Sequence, residues 1–134
     1  MGQNVLVDRY LSREMIEAGA ETLRRLDSAK VAIKAAYWMY RVEPGRWRLV
    51  LASPDYNKIG PTKTIEKIQL ALENIKEEDG IVTLWDISVV DSTDSIVKAM
   101  KKALKKRKDV SVTRLTDTYI DGHYIDDAYI YRMN

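Results

Sequence analysis

The sequence predicts a single α+β domain over residues 1–134, with about five largely antiparallel strands in one sheet and three helices packed on it. The expected order is α-β-β-α-β-α-β-β. Three observations lead there. Pro44-Gly45 and Asp121-Gly122 each divide an apolar-rich run into two strands, as hairpin turns do. Three other segments repeat apolar side chains at helical spacing. With 134 residues, 46% hydrophobic and 31% charged, the chain can bury a core without disulfides or metals. Strand order stays open at this stage.

The first helix is expected from Ser12 to Asp27, "SREMIEAGAETLRRLD", with Ser12 as its cap and Met15, Ile16, Ala20, Leu23 and Leu26 toward the core. The first hairpin follows in "KVAIKAAYWMYRVEPGRWRLVLASP". A two-residue type II turn at Pro44-Gly45 would set Val42 against Trp47, Tyr40 against Leu49 and Trp38 against Leu51. On the opposite face it sets Arg41 against Arg48. That like-charge pair costs stability unless it is exposed or given an anion, and it makes both arginines candidate anion ligands.

After the loop "SPDYNKIGP", a second helix is expected from Thr62 to Asp79, with Ile65, Ile68, Leu72 and Ile75 in one stripe and Gly80 as its stop. "LWDISVV" reads as a short buried strand. "DSTDSIVKAMKKALKKRK" opens the third helix, capped by Asp91 or Ser92, with Asp94 favourable to its dipole. The last hairpin turns at Asp121-Gly122, a type I′ signature.

That last hairpin holds the only histidine. A two-residue turn pairs Ile120 with His123, Tyr119 with Tyr124, Asp117 with Asp126 and Thr116 with Asp127. Asp117 and Asp126 are thus opposed carboxylates on the face of Tyr124, while His123 points the other way. A His–Asp–Asp metal triad would need ligands that converge, and this register separates them. Asp117, Asp126 and His123 remain candidate catalytic residues, and no metal set is assigned. Arg41 and Arg48 would neutralise Asp117 and Asp126 if the two hairpins were neighbours.

Charge is unevenly distributed. Net charge is +2, yet residues 98–108 carry seven Lys or Arg and no acid. On a helical wheel Ile96, Met100, Ala103 and Leu104 form one arc with Val97 at its edge. Lys98, Lys101, Lys102, Lys105 and Lys106 form the other. This is a surface helix with a basic outer face, suited to a nucleic-acid backbone, to an acidic protein, or simply to water.

Other classes lack their signatures. There is no cysteine, hence no thiolate metal site or cysteine nucleophile, and a reducing cytosol is compatible with that. The N-terminal "MGQNVLVDRYLSREM" has neither the apolar run of a signal peptide nor the length of a membrane span. Six glycines form no Walker A or GxGxxG loop, and no serine stands in a nucleophile elbow, so no cofactor is expected.

The segments "AYWMY…WRLVLASP", "GPTKTIEKIQ", "DISVV" and "DAYIYR" together resemble a family of small uncharacterised prokaryotic proteins, over roughly Asp8 to Arg132. The resemblance implies a single-domain intracellular protein and transfers no catalytic residue.

The expectation is therefore a non-enzymatic cytoplasmic domain that engages a macromolecular partner, nucleic acid or acidic protein, through the lysine helix or a sheet edge. No membrane association is expected, and a homodimer through an edge strand stays open. The alternative is a metal-assisted phosphodiester hydrolase using Asp117 and Asp126, with Asp86 as a further ligand.

Overall fold

The structure, a computed structural model, describes residues 10–73, 80, 82–106 and 114–134, with only the backbone of Lys106. It is an α+β domain with one five-stranded sheet. The strands are β1 (Ala35–Arg41), β2 (Arg46–Ser53), β3 (Ile87–Asp91), β4 (Arg114–Ile120) and β5 (His123–Met133). The helices are α1 (Arg13–Ser28), the single turn α2 (Asp55–Lys58), α3 (Pro61–Leu72) and α4 (Ser95–Lys106). Sheet order is β3-β2-β1-β5-β4. Every pairing is antiparallel except β2–β3, which the α2–α3 crossover makes parallel. The two hairpins are therefore neighbours through β1 and β5.

Alternation along β1 and β2 gives each sheet face its own core. Trp38, Tyr40, Trp47, Leu49 and Leu51 face α1 and α3, where they meet Leu23, Leu26, Ile68 and Leu72. Tyr37, Met39, Ala52, Ala128 and Ile130 face α4, through Val97 and Met100. The central strand β1 is buried over six of its seven residues because helices cover both faces.

Helix α1 starts where its cap predicts: Ser12 Oγ accepts the Met15 N–H at 3.1 Å. Gly19 sits where α1 crosses the sheet. A Cβ there would collide with Tyr131 Oη and lie 2.8 Å from Trp38 Nε1. The space goes to a polar knot instead. Trp38 Nε1 donates to Tyr131 Oη (2.9 Å) and Met15 O (3.2 Å), and Tyr131 Oη donates to Ile16 O (2.6 Å). Thr22, fully buried, donates to Ala18 O and accepts the Val82 N–H, both at 2.8 Å, so α1 also fixes the chain entering β3.

Several expectations change. The first hairpin has a longer loop, Val42–Gly45, with a cis Glu43–Pro44 peptide and Gly45 at φ +81°. Its register is Arg41↔Arg46, Tyr40↔Trp47 and Trp38↔Leu49. A shift of two residues keeps every side chain on its expected face, so the core survives but the opposed partners change. Arg41 faces Arg46, and Arg48 faces Met39. Helix α3 begins at Pro61 and buries Thr64, Ile68 and Leu72, whereas Ile65 is exposed. Ile75, with the rest of 74–79, lies outside the described residues. "LWDISVV" is only partly a strand: Leu84–Asp86 form a 3₁₀ turn and β3 starts at Ile87. Asp94, not Asp91 or Ser92, caps α4, its Oδ2 accepting the N–H groups of Ile96 (3.1 Å) and Val97 (3.3 Å). Among the described residues no helix is long and apolar enough to cross a membrane.

Candidate functional site: a basic face with exposed aromatics

The β4–β5 hairpin keeps the expected partners Ile120↔His123, Tyr119↔Tyr124 and Thr116↔Asp127, but the expected Asp117↔Asp126 pair is not in the ladder. Asp121 (φ 51°) and Gly122 (φ 83°) both take the positive φ that a type I′ turn requires. Between the two ladder halves Asp117 is also left-handed (φ 44°). Ile125 and Ala128, three residues apart, share one core cluster, which regular alternation forbids, so the strand face switches in this region. The switch turns Ile120 and Ile125 toward α4 and sends Tyr119 and Tyr124 outward.

This arrangement answers the question posed by the carboxylates. Asp117 accepts a hydrogen bond from Tyr124 Oη at 2.5 Å. That bond, with added repulsion from Asp117 and Asp126, pushes the Tyr124 phenol up to about 12. Asp127 is held by Arg114 in a fork, Nε–Oδ1 2.6 Å and Nη2–Oδ2 2.7 Å. His123 is half-buried beside the turn. Among the described residues no three His, Asp or Glu side chains gather as a metal would need. Asp86 lies at the far end of the sheet, paired with Arg46 at 2.9 Å. The two hairpins are adjacent, but among the described residues no ion pair joins Arg41 or Arg48 to Asp117 or Asp126.

The arginines instead line a cleft. On the α4 face of the sheet, Arg41, Arg46 and Arg48 line a cavity of about 200 Å³ together with Ser88 of β3, Asp94 that caps α4, and the apolar Met39, Val50, Val90 and Ile96. The ladder explains the convergence. Arg41 is directly opposite Arg46, and Arg48 is two residues further along β2 and therefore on the same face. Arg48 is fixed by its neighbour strand, donating from Nε to Ser88 Oγ (2.5 Å) and from Nη2 to Ile87 O (2.8 Å). Arg46 is held by Asp86 and reaches Trp85 O at 3.4 Å. Arg41 is exposed and forms no ion pair among the described residues. Tyr37, 2% exposed, belongs to the cleft floor, and burial first, then Asp94, pushes its phenol upward, so it stays a hydroxyl donor.

Helix α4 covers the same sheet face. Lys98, Lys102 and Lys105 are exposed and Lys101 is half-buried, while Val97, Ala99 and Met100 are buried. Lys102 approaches Asp121 at 3.9 Å, and among the described residues Lys98, Lys101 and Lys105 form no ion pair. The Lys106 side chain lies outside the described residues.

Aromatic rings stand beside both groups of cations. Trp85 is 84% exposed, next to Asp86 and joined to Arg46 through its carbonyl. Tyr119, 75% exposed, meets the Tyr124 ring at a tilt of 51° with centroids 5.0 Å apart and lines a hollow with Lys102. Sequence reasoning found the lysine helix, Arg41 and Arg48, but missed Arg46 and Trp85. The available signal was a tryptophan placed one residue before an acid at a strand entrance, which read as part of a buried strand.

No protein-family model matches the chain, and comparison with curated proteins and with solved structures also finds no match. Those comparisons do not bear on the family resemblance carried by the "LVLASP", "DISVV" and "DAYIYR" segments.

Proposed function

We propose that this is a cytoplasmic, non-enzymatic domain that binds single-stranded nucleic acid across the α4 side of its sheet. One observation carries the reading: three arginines of the first hairpin converge in a cleft on the sheet face that the lysine-bearing helix covers, so two separate sources of positive charge share one side of the molecule. Opposed like charges in a ladder are destabilising, and an anion between them removes the penalty. The exposed rings favour nucleic acid over an acidic protein. Exposed rings at Trp85, whose carbonyl meets Arg46, and at Tyr119, which lines a hollow with Lys102, add stacking surface to these cations, the combination that holds unpaired bases. The absence of cysteine is consistent with a reducing compartment.

The hydrolase alternative gains no comparable support, because Asp117 is already occupied by the Tyr124 hydroxyl and Asp86 sits with Arg46. The test is competition. A labelled single-stranded RNA is bound to the protein, then challenged with unlabelled RNA, single-stranded DNA and polyglutamate. Nucleic acid is expected to displace the label, and polyglutamate at equal charge to displace it poorly. Equal displacement by polyglutamate overturns the assignment in favour of an acidic protein partner. Absence of RNA binding overturns it outright.

A further inference from the structure

The arginine cleft differs from the lysine helix in shape as well as charge. Lys98, Lys102 and Lys105 stand exposed on α4, along which a phosphodiester backbone can run. The arginines line a cavity whose floor is the sheet, at Tyr37, Met39 and Val50, and whose sides are the hairpin at Pro44 and helix α4 at Ile96. At about 200 Å³ it has room for one compact anion.

One of its donors is set in advance. Two bonds to β3 orient the Arg48 guanidinium, leaving Nη1 without a hydrogen bond among the described residues. Ser88 accepts from Arg48 and keeps its own O–H to donate. Tyr37 adds a buried phenol that makes no hydrogen bond among the described residues and feels both Asp94 and Arg41. Arg41 is free of ion pairs among the described residues. The carboxylate on the lining, Asp94, is engaged with two α4 N–H groups, and Arg46 is paired with Asp86, so Arg41 and Arg48 carry the cleft's excess positive charge. Such a set, forked and in part pre-oriented, suits a group with three accessible oxygens and up to two negative charges.

We propose that this cleft receives a phosphate monoester, the terminal phosphate of the bound strand, with the terminal base stacked on Trp85. The inference rests on the nucleic-acid reading and adds that the strand end is recognised. An internal phosphodiester carries two substituents and one charge and cannot enter end-on. Trp85 neighbours the cleft through its backbone, its carbonyl 3.4 Å from Arg46 Nη2, and its side chain is exposed.

The experiment uses one short RNA in three forms, with a 5′-phosphate, with a 3′-phosphate, and with hydroxyls at both ends. Binding is read by quenching of tryptophan emission. Trp38 and Trp47 are 3% and 5% exposed, so quenching by a stacked base reports Trp85. One phosphorylated form is expected to bind roughly tenfold or more tightly than the hydroxyl form, as charge-assisted bonds imply, and which one binds identifies the end. Arg48→Met and Arg41→Met, each checked for a wild-type melting profile, should bring the ratio of phosphorylated to hydroxyl affinity to about one. Equal binding of all three forms by the wild-type protein overturns the end-recognition proposal and leaves the nucleic-acid reading standing. If no RNA binds, yet inorganic phosphate raises the wild-type melting midpoint and not that of Arg48→Met, the phosphate cleft stands and the nucleic-acid reading falls. If neither RNA nor phosphate acts, the cleft is not a phosphate site.

Discussion

Arg41 lies directly opposite Arg46 in the β1–β2 ladder, at the sheet end where Arg48 and Ser88 complete a cleft. Asp86 relieves Arg46, but no ion pair relieves Arg41 among the described residues. A protein selected for stability alone would gain by replacing Arg41. We therefore expect Arg41→Thr to leave the unfolding free energy unchanged or raise it by up to about 0.5 kcal/mol, while weakening RNA binding. Chemical denaturation beside a binding titration checks both. A loss of stability with no loss of binding would make Arg41 structural.

Gly19 of α1 faces the Tyr131 hydroxyl with no room for a side chain. Gly19→Ala must displace Tyr131 Oη or move the helix, and should cost about 1–3 kcal/mol, the range for overpacked sites. Tyr131→Phe removes the bond to Ile16 O and one acceptor of Trp38 Nε1, which stays bonded to Met15 O, so about 1 kcal/mol is expected. Urea unfolding midpoints for the two variants test the order. Gly19→Ala as stable as the wild type would refute the packing described.

Asp27 at the end of α1 and Arg132 of β5 meet through paired bonds of 2.9 and 2.7 Å. The Arg132 guanidinium holds the Asp27 carboxyl below its ordinary value of 3.8, outweighing partial burial. A depressed carboxylate pKa contributes stability above 3.8 that is lost as pH falls through the folded value. Arg132→Gln should thus lower stability at neutral pH by about 0.5 kcal/mol, since the pair is partly exposed, and flatten the acid limb of stability against pH. Parallel acid limbs for variant and wild type would contradict this.

Tyr124 gives a second pH signature with the opposite sign. Its hydroxyl donates to Asp117, and its pKa stands near 12 instead of 10. A raised pKa contributes stability below pH 10, lost as pH rises through the folded value. Spectrophotometric titration of phenolate should show one tyrosine moving toward 10 in Asp117→Asn, without global unfolding. An unchanged titration would separate the two side chains.

The parts of this molecule that were legible from sequence are those fixed by local rules. Asp121-Gly122 sets both loop length and φ signs, so the register of β4–β5 follows from two residues. The lysine helix follows from its period. Pro44-Gly45 also marks a turn but does not fix loop length, and the two-residue shift it permits preserves the core while replacing the partner of Arg41. The arginine cleft needs β3 beside β2, a non-local parallel pairing across a crossover, to supply Ser88 and Ile87 O. Trp85 was hidden for a related reason: an apolar residue next to a strand reads as buried, and only the 3₁₀ turn at Leu84–Asp86 exposes it.

The salt dependence of single-stranded RNA binding tests the central claim most directly. Each phosphate neutralised contributes about −0.7 to the slope of log affinity against log salt, so four or more contacts predict a slope of about −3 or steeper. Lys98→Glu with Lys105→Glu should make that slope shallower and lower affinity at every salt concentration. Absent or salt-independent binding, or a slope and affinity unchanged in the double variant, would contradict the account and leave α4 a solvated face.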